Sequence, residues 1–428
     1  MNEKRTALLI TYYWPPAGGA GVHRWLRFSQ YFKENGWDLH VYCPDNGAWP
    51  TLDPSLEDQV AEELTIVRRP IFEPHRYLGK KNNPNVGAGL TKKGKSSLFQ
   101  SFVIWTRGNL FIPDARGFWI NPSVRFLKKY LKEHPEIDTI ISTGPPHTCH
   151  MIGLGLKKHR KNLKWITDFR DPWTEIDFYQ DLLPGKWADN RHKKMEKEVL
   201  GIADRVITIS EHCAEGLRRI SGRNVEVVTN GFNFPDFDAK KVKLDANFTI
   251  SHFGSMPHAR NPETLWDALA ILVEKSESFK EQLSIKLVGP VDHSIFESIK
   301  SKGLDLFVNH VPTVSHAESL QQQRSAQILL LMANRAGNVK GILTGKVFEY
   351  LGAKRPILAF GEDDSDLQNV IESTEAGAFI VHDDVDSTVR IIEKWFKAYL
   401  EGQLFHEPKN LEKYSSKELA KQFIEYLY

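Results

Sequence analysis

Over the first 45 residues the apolar positions change period twice. Residues 7–14 form an apolar run of strand length that ends in Pro15, Pro16, Ala17, Gly18, Gly19, Ala20 and Gly21, a turn-forming stretch. Apolar side chains then recur at Val22, Trp25, Leu26, Phe28 and Phe32, the spacing of one helix face, and Gly36 stands where a helix stops. Residues 39–43 read as a second strand. Strand, glycine loop, helix and strand make a βαβ unit, which predicts a parallel sheet. The alternation continues through strands near 139–143, 165–169, 205–210 and 225–229. It restarts at 248–253 and runs through 283–288, 328–332, 356–360 and 378–381, with helical patterns between.

Two doubly wound α/β domains are therefore expected, and 428 residues suit two domains of about 200 residues each. The polar, alternately charged stretch 233–247, interrupted by Pro235, reads as the linker between them. The expected division is 1–240, 241–405 and an amphipathic C-terminal helix within 406–428.

Composition narrows the function classes. A hydrophobic share of 41% with a formal charge of only +2 describes a globular protein without the overall basic field of a nucleic-acid binder. Cys43, Cys149 and Cys213 are scattered with no CxxC pair, so neither a structural metal nor an oxidising compartment is implied, and a cytoplasmic location is expected. The first apolar run is too short for a signal peptide, and no run approaches the roughly 18 residues of a membrane span. One region breaks the rhythm: residues 74–113 hold seven Lys or Arg and no Asp or Glu, interleaved with Phe99, Phe102, Trp105 and Phe111. Two readings of this basic aromatic insertion stand side by side: a solvated loop with a packed helix, or a surface for the acceptor or an anionic membrane.

The segment 341–361, GILTGKVFEYLGAKRPILAFG, carries the most chemistry. Thr344 is placed as an N-cap, which leaves the N–H groups of Gly345, Lys346 and Val347 at the positive end of a helix, a natural phosphate site. Lys346 adds a full charge there, and Glu349 follows three residues on, along the same face. Read alone, Lys346 and Glu349 equally describe an ordinary surface pair.

At this point the chain resembles glycosyltransferase family 4, whose donor-binding helix often reads S-K-x-x-E-Y followed six residues later by Pro; here it reads GKVFEYLGAKRP. The resemblance extends to the Pro15–Pro16–Gly18–Gly19 loop, to STGPPHT (142–148), DFRDPW (168–173), DRVITIS (204–210), TNGF (229–232) and FGSMPHARNP (253–262). It implies a GT-B fold, with two Rossmann-like domains facing a cleft. The first domain would lie on the acceptor side, the second would hold the donor, and the C-terminal helix would cross back to the first. The implied reaction is retaining transfer of a hexosyl unit from a nucleotide-diphosphate sugar to a hydroxyl of a saccharide or polyprenyl-linked saccharide, in cell-surface polysaccharide synthesis. The nucleotide sugar would be a co-substrate, with no cofactor and no metal; a metal-binding DxD motif is absent at DFRDPW. Peripheral work at the inner face of the plasma membrane would follow from such an acceptor.

Carried over position by position, the resemblance places Gly18, Gly19, Gly254, Ser255, Gly345 and Glu349 on the donor. Arg260, Lys346 and His147 become the catalytic candidates, and Asp168, Arg170 and Asp171 cleft candidates. For the last three, a local salt-bridge network is an equal reading; for Arg260, an exposed loop position is the alternative. Gly341 departs from the pattern, since many members carry a glutamate eight residues before the second one. Two rivals remain at this stage: a nucleotide-sugar 2-epimerase, which needs acid and base groups and no acceptor, and a nonenzymatic nucleotide-sugar-binding subunit.

Overall fold

A computed structural model of the chain describes residues 5–74, 98–176, 179–234, 242–335, 339–404 and 406–428. The described residues up to Asn233 together with Tyr414–Tyr428 form one compact unit, and Phe234–Lys413 form the other. The linker expected at 233–247 falls partly outside the described residues, as do 75–97 of the insertion expected at 74–113.

The first unit is a seven-stranded parallel sheet. In chain order it contains β1 (Arg5–Ile10), α1 (Ala20–Ser29), β2 (Trp37–Pro44), β3 (Thr65–Arg69), α2 (Leu98–Asn109), α3 (Ile120–Glu133), β4 (Ile137–Gly144), α4 (Thr148–His159), β5 (Lys164–Phe169), α5 (Lys186–Ile202), β6 (Arg205–Thr208), α6 (Glu211–Ser221) and β7 (Glu226–Val227). The strand order is β3-β2-β1-β4-β5-β6-β7. Because side chains alternate along a strand, Leu8 and Ile10 face one apolar layer while Ala7 and Leu9 face another. Both faces are covered, which is why the central strands read as continuous apolar runs.

The second unit repeats the plan with β8 (Phe248–Phe253), α7 (Glu263–Lys275), α8 (Glu277–Gln282), β9 (Leu283–Val288), α9 (His293–Ser301), β10 (Val308–Val311), α10 (His316–Ser325), β11 (Ile328–Met332), α11 (Gly345–Ala353), β12 (Ile357–Gly361), α12 (Asp366–Ser373), β13 (Gly377–Val381) and α13 (Val385–Leu400). Its sheet runs β10-β9-β8-β11-β12-β13, all parallel. In each unit the order reverses between the first and fourth strands, β1 beside β4 and β8 beside β11. Ligands of such sheets sit beyond the strand carboxyl ends at that switch point.

The last helix, α14 (Ser416–Glu425), packs on α1 of the first unit, with Phe423 edge-on to Trp25 at 5.0 Å. Its approach is pinned by Phe232 N–H donating to Tyr414 O and Ser416 N–H donating to Phe232 O, both 3.1 Å. Residues 22–35, expected as one helix, divide into α1 and a separate 3₁₀ turn, Lys33–Asn35, which Gly36 closes in the left-handed conformation at φ 82°.

A buried charge ties the first unit's loops together. Asp168, at the end of β5, is 0% exposed and accepts from Arg24 Nη2 (2.9 Å), Arg24 Nε (3.2 Å), Trp25 Nε1 (2.8 Å) and Thr143 Oγ1 (2.9 Å). The same Arg24 donates to Val228 O at 2.9 Å and Thr229 O at 2.8 Å, so α1, β4, β5 and the loop after β7 meet at one ion pair. Breaking a buried pair from one side leaves an uncompensated charge. Asp168→Ala is therefore expected to lower the unfolding free energy by about 3–5 kcal/mol, measured by denaturant unfolding; a loss within the range of an ordinary surface change would refute this account of the network.

Candidate functional site

The donor candidates of the second unit gather at its switch point. β8 ends at Phe253, and the chain turns through Gly254 at φ 96°, a left-handed backbone that favours glycine. Gly254 N–H donates to Val288 O at 2.7 Å, which fixes the loop on β9. A Cβ at position 254 would lie 2.6 Å from Lys346 Cε, so the glycine leaves room for the lysine stem. Lys346 Nζ donates to Ser255 O at 3.3 Å. Its crowded position strips water from the ammonium and pulls its pKa from 10.5 to about 7, with Arg260 pushing the same way and Glu349 opposing.

Three further features surround this lysine. Thr344 precedes α11 in an extended conformation, as an N-cap residue does, yet its side chain makes no capping hydrogen bond. Of the three N–H groups expected to be unpaired, Val347 N–H donates back to Thr344 O at 3.2 Å, because the first turn tightens to i→i−3 bonding. Those of Gly345 and Lys346 have no hydrogen-bond partner among the described residues. Arg260 Nε donates to Asn334 Oδ1 at 2.7 Å, so one nitrogen is spent on orientation by the residue just past β11. Glu349 Oε1 lies 3.2 Å from His316 Nε2, at the first residue of α10.

Asn334 and His316 were not among the sequence candidates. Asn334 carries a signal that position alone supplies: it follows the fourth strand of a Rossmann-ordered sheet, opposite the loop after the first. His316 lies 33 residues from Glu349, and only the packing of α10 beside α11 brings them together. His252, beneath the loop, is a packing residue: its Nδ1 lies 3.1 Å from Leu330 O, and burial drives its pKa down to about 3.

The candidates of the first unit sit at its own switch point. Gly18 is buried, donating to Thr51 O at 2.9 Å, and a Cβ there would press on Asp53 Cβ at 3.1 Å. Gly19 is exposed at φ 84° and is the cap residue just before α1. Arg170 is a clamp between two loops. Its Nη1 donates to Gly21 O at 2.6 Å, and its Nη2 and Nε donate to Pro145 O and Gly144 O. Asp168 spends its oxygens within the network described above, which supports the structural reading of this residue. Asp171 is partly buried just past β5. His147 stacks on Trp173 with centroids 4.5 Å apart and planes 2° from parallel. Burial, with His150 and His192 nearby, holds its imidazole neutral, well below the usual histidine range. Among the described residues no group of three or more His, Cys, Asp or Glu side chains is arranged to hold a metal ion.

Comparison with known proteins supplies the class. The model of Glycosyltransferase Family 4 matches residues 17–234, just over half of the 428 residues. No curated protein sequence matches the chain. Among solved structures, sucrose-phosphate synthase from Thermosynechococcus elongatus is 17% identical, covering 99% of this chain and 98% of its own, with a TM-score of 0.62. TarM of S. aureus is 11% identical with 99% of both chains covered and a TM-score of 0.63. HepE of Anabaena, solved with UDP-glucose, is 13% identical with 99% of both covered and a TM-score of 0.57. At such identities the likeness establishes the fold, GT-B over the full length. The chain belongs to glycosyltransferase family 4 and is a sugar-transferring enzyme that uses a nucleotide-sugar donor.

Proposed function

We propose that the second unit binds a nucleoside-diphosphate hexose beyond β8 and β11, and that the hexosyl group passes with retention to a hydroxyl of a saccharide or polyprenyl-linked saccharide in cell-surface polysaccharide synthesis. What carries this reading is the meeting of Lys346, Arg260 and the unspent N–H groups of Gly345 and Lys346 around one glycine loop. Backbone N–H groups at a helix start, an ammonium and a guanidinium are three complementary ways to hold a diphosphate.

In this reading Arg260 and Lys346 take the diphosphate oxygens. Gly254 and Ser255 let the phosphates approach the backbone, and Glu349, steadied by His316, accepts the ribose hydroxyls. The bond between the sugar C1 and the phosphate oxygen breaks, and its electron pair moves to that oxygen. The acceptor oxygen bonds to C1, and its proton passes to a phosphate oxygen on the same face. The two cations neutralise the charge that grows on the leaving group, which is the work a metal would otherwise do. Gly18 and Gly19 stay donor-facing candidates, and His147, Arg170 and Asp171 acceptor-side ones. With Gly341 in place of a glutamate, no carboxylate meets the sugar from that position. A lipid-linked acceptor would make the enzyme peripheral at the inner membrane face.

Two measurements test the donor site. In a calorimetric screen of UDP, GDP, ADP and their sugars, wild type is expected to select one base, and Glu349→Ala to weaken that ligand by about tenfold or more, the scale of a hydrogen bond to a charged group. Folded wild type that binds none of them would remove the assignment. The second is pH dependence. A bound diphosphate favours charged Lys346, whose free pKa is about 7. Affinity for a diphosphate sugar should thus be level below that pH and fall as pH rises above it, by up to about tenfold per unit, with uptake of about one proton at pH 8. Calorimetry in buffers of different ionisation enthalpy reads the uptake, and Lys346→Met should abolish it.

A further inference from the structure

Twelve large apolar side chains are exposed among the described residues, and six of them belong to one region of the first unit: Phe72 (56%), Trp105 (44%), Leu110 (65%), Phe118 (55%), Leu183 (55%) and Trp187 (64%). They are linked by contacts. Phe118 meets Phe72 at 5.8 Å and Phe111 at 6.4 Å, and Phe111 follows Leu110. Asn109, at the end of α2, donates to Trp105 O at 2.8 Å and Leu183 O at 3.0 Å, and its Oδ1 accepts from Gly185 N at 2.7 Å, two residues before Trp187. The hydrogen bonds hold the backbone under the ledge while its apolar groups face solvent. Single exposed apolar residues are ordinary; a connected set of this kind marks a contact surface.

The charges at its rim choose the partner. Arg107, Lys186 and Arg191 are exposed among these side chains, and Arg191 lies over the Trp187 ring at 5.5 Å. On the same stretch as Lys186 and Arg191, Asp181 is exposed and Asp189 is partly buried and paired with Lys193 at 2.8 Å. Among the described residues no helix is long and apolar enough to cross a membrane. Aromatic and leucine side chains with cations at their edge are the composition of a surface that lies in the headgroup region of an anionic bilayer.

We propose that this ledge seats the first unit on an anionic lipid surface, with Leu110 and Trp187 entering the interface and Arg107, Lys186 and Arg191 meeting lipid phosphates. This deepens the lipid-linked acceptor reading above by naming the surface that would bring the enzyme to such an acceptor.

The full chain is tested by co-sedimentation with phosphatidylglycerol vesicles and with phosphatidylcholine vesicles, as wild type and as Leu110→Ser/Trp187→Ser. Both side chains are already in water, so the fold should tolerate the change, and circular dichroism checks it. Wild type is expected to prefer the anionic vesicles, and the double variant to bind them about 100-fold more weakly, about tenfold for each large side chain withdrawn. Absence of wild-type binding, equal binding to both lipids, or an unchanged variant would each overturn the proposal. So would a wild-type dimer that the variant converts to monomer, since the ledge would then cover a second copy. Calorimetric donor binding by the same samples separates the two readings: vesicle binding lost with donor binding retained acts on the ledge alone, and donor binding absent with vesicle binding retained acts on the transferase site alone.

Discussion

The close approach of Lys346 to the backbone of Gly254 is the contact that sets the geometry at the end of β8 and the start of α11. No other residue type leaves the 2.6 Å that a Cβ would have to share with the lysine stem, and none adopts φ 96° as freely. The same helix face carries the tie that holds this geometry: Tyr350, four residues after Lys346, accepts from Phe253 N–H at 3.0 Å. One turn of α11 thus fixes the end of β8 and brings a cation beside it. Glu349, three residues after Lys346 and therefore one turn along the same face, reaches His316 of α10. A single helix face thus carries an ammonium and, one turn along, a carboxylate, the spacing on which the proposed diphosphate and ribose contacts rest.

The two units answer the same topological constraint in opposite ways. All strands of a parallel sheet end at one edge, so several loops must share that space without a ladder to pair them. In the first unit a fully buried ion pair does the work. Arg24 and Asp168 use donors and acceptors on each other and on the carbonyls of residues 228 and 229, and Arg170 clamps the Gly21 and Pro145 loops. The charges of that pair are spent within the protein. In the second unit the lysine keeps a single, rather long hydrogen bond among the described residues, and burial together with the neighbouring Arg260 disfavours its charged form. A cation left poorly satisfied by protein is one whose charge a ligand can complete.

How much was legible beforehand follows from the same physics. Central strands β8 and β11 are buried along their whole length and β9 alternates buried apolar with half-buried polar residues, and both patterns mark strand limits; residues 248–253, 283–288 and 328–332 coincide with the strands observed. β3 and β10 were missed because each is an edge strand, TIVRR and VNHV, whose side chains are only partly buried and carry no continuous run. Lys346 and Glu349 could be named because they share one helix with a local spacing. His316 and Asn334 could not, since their relation to Glu349 and Arg260 exists only once α10 lies beside α11 and β11 beside β8. Asp168 shows the limit from the other side. Its place in DFRDPW identified it, but whether a carboxylate meets substrate or an internal arginine depends on Arg24, which lies 144 residues away.

The family match and the donor helix come from different halves of the chain. The match covers residues 17–234, within the first unit up to its last residues, while Gly254, Arg260, Lys346 and Glu349 all belong to the second. Membership therefore does not rest on the proposed donor residues, and those residues do not borrow their geometry from the match. That the second unit has a Rossmann strand order, and that its cations collect at the switch point of that order, are separate facts about separate residues. A chain matched to a family through its first half thus carries in its second half the cations of the proposed donor site, at the edge where parallel sheets take their ligands.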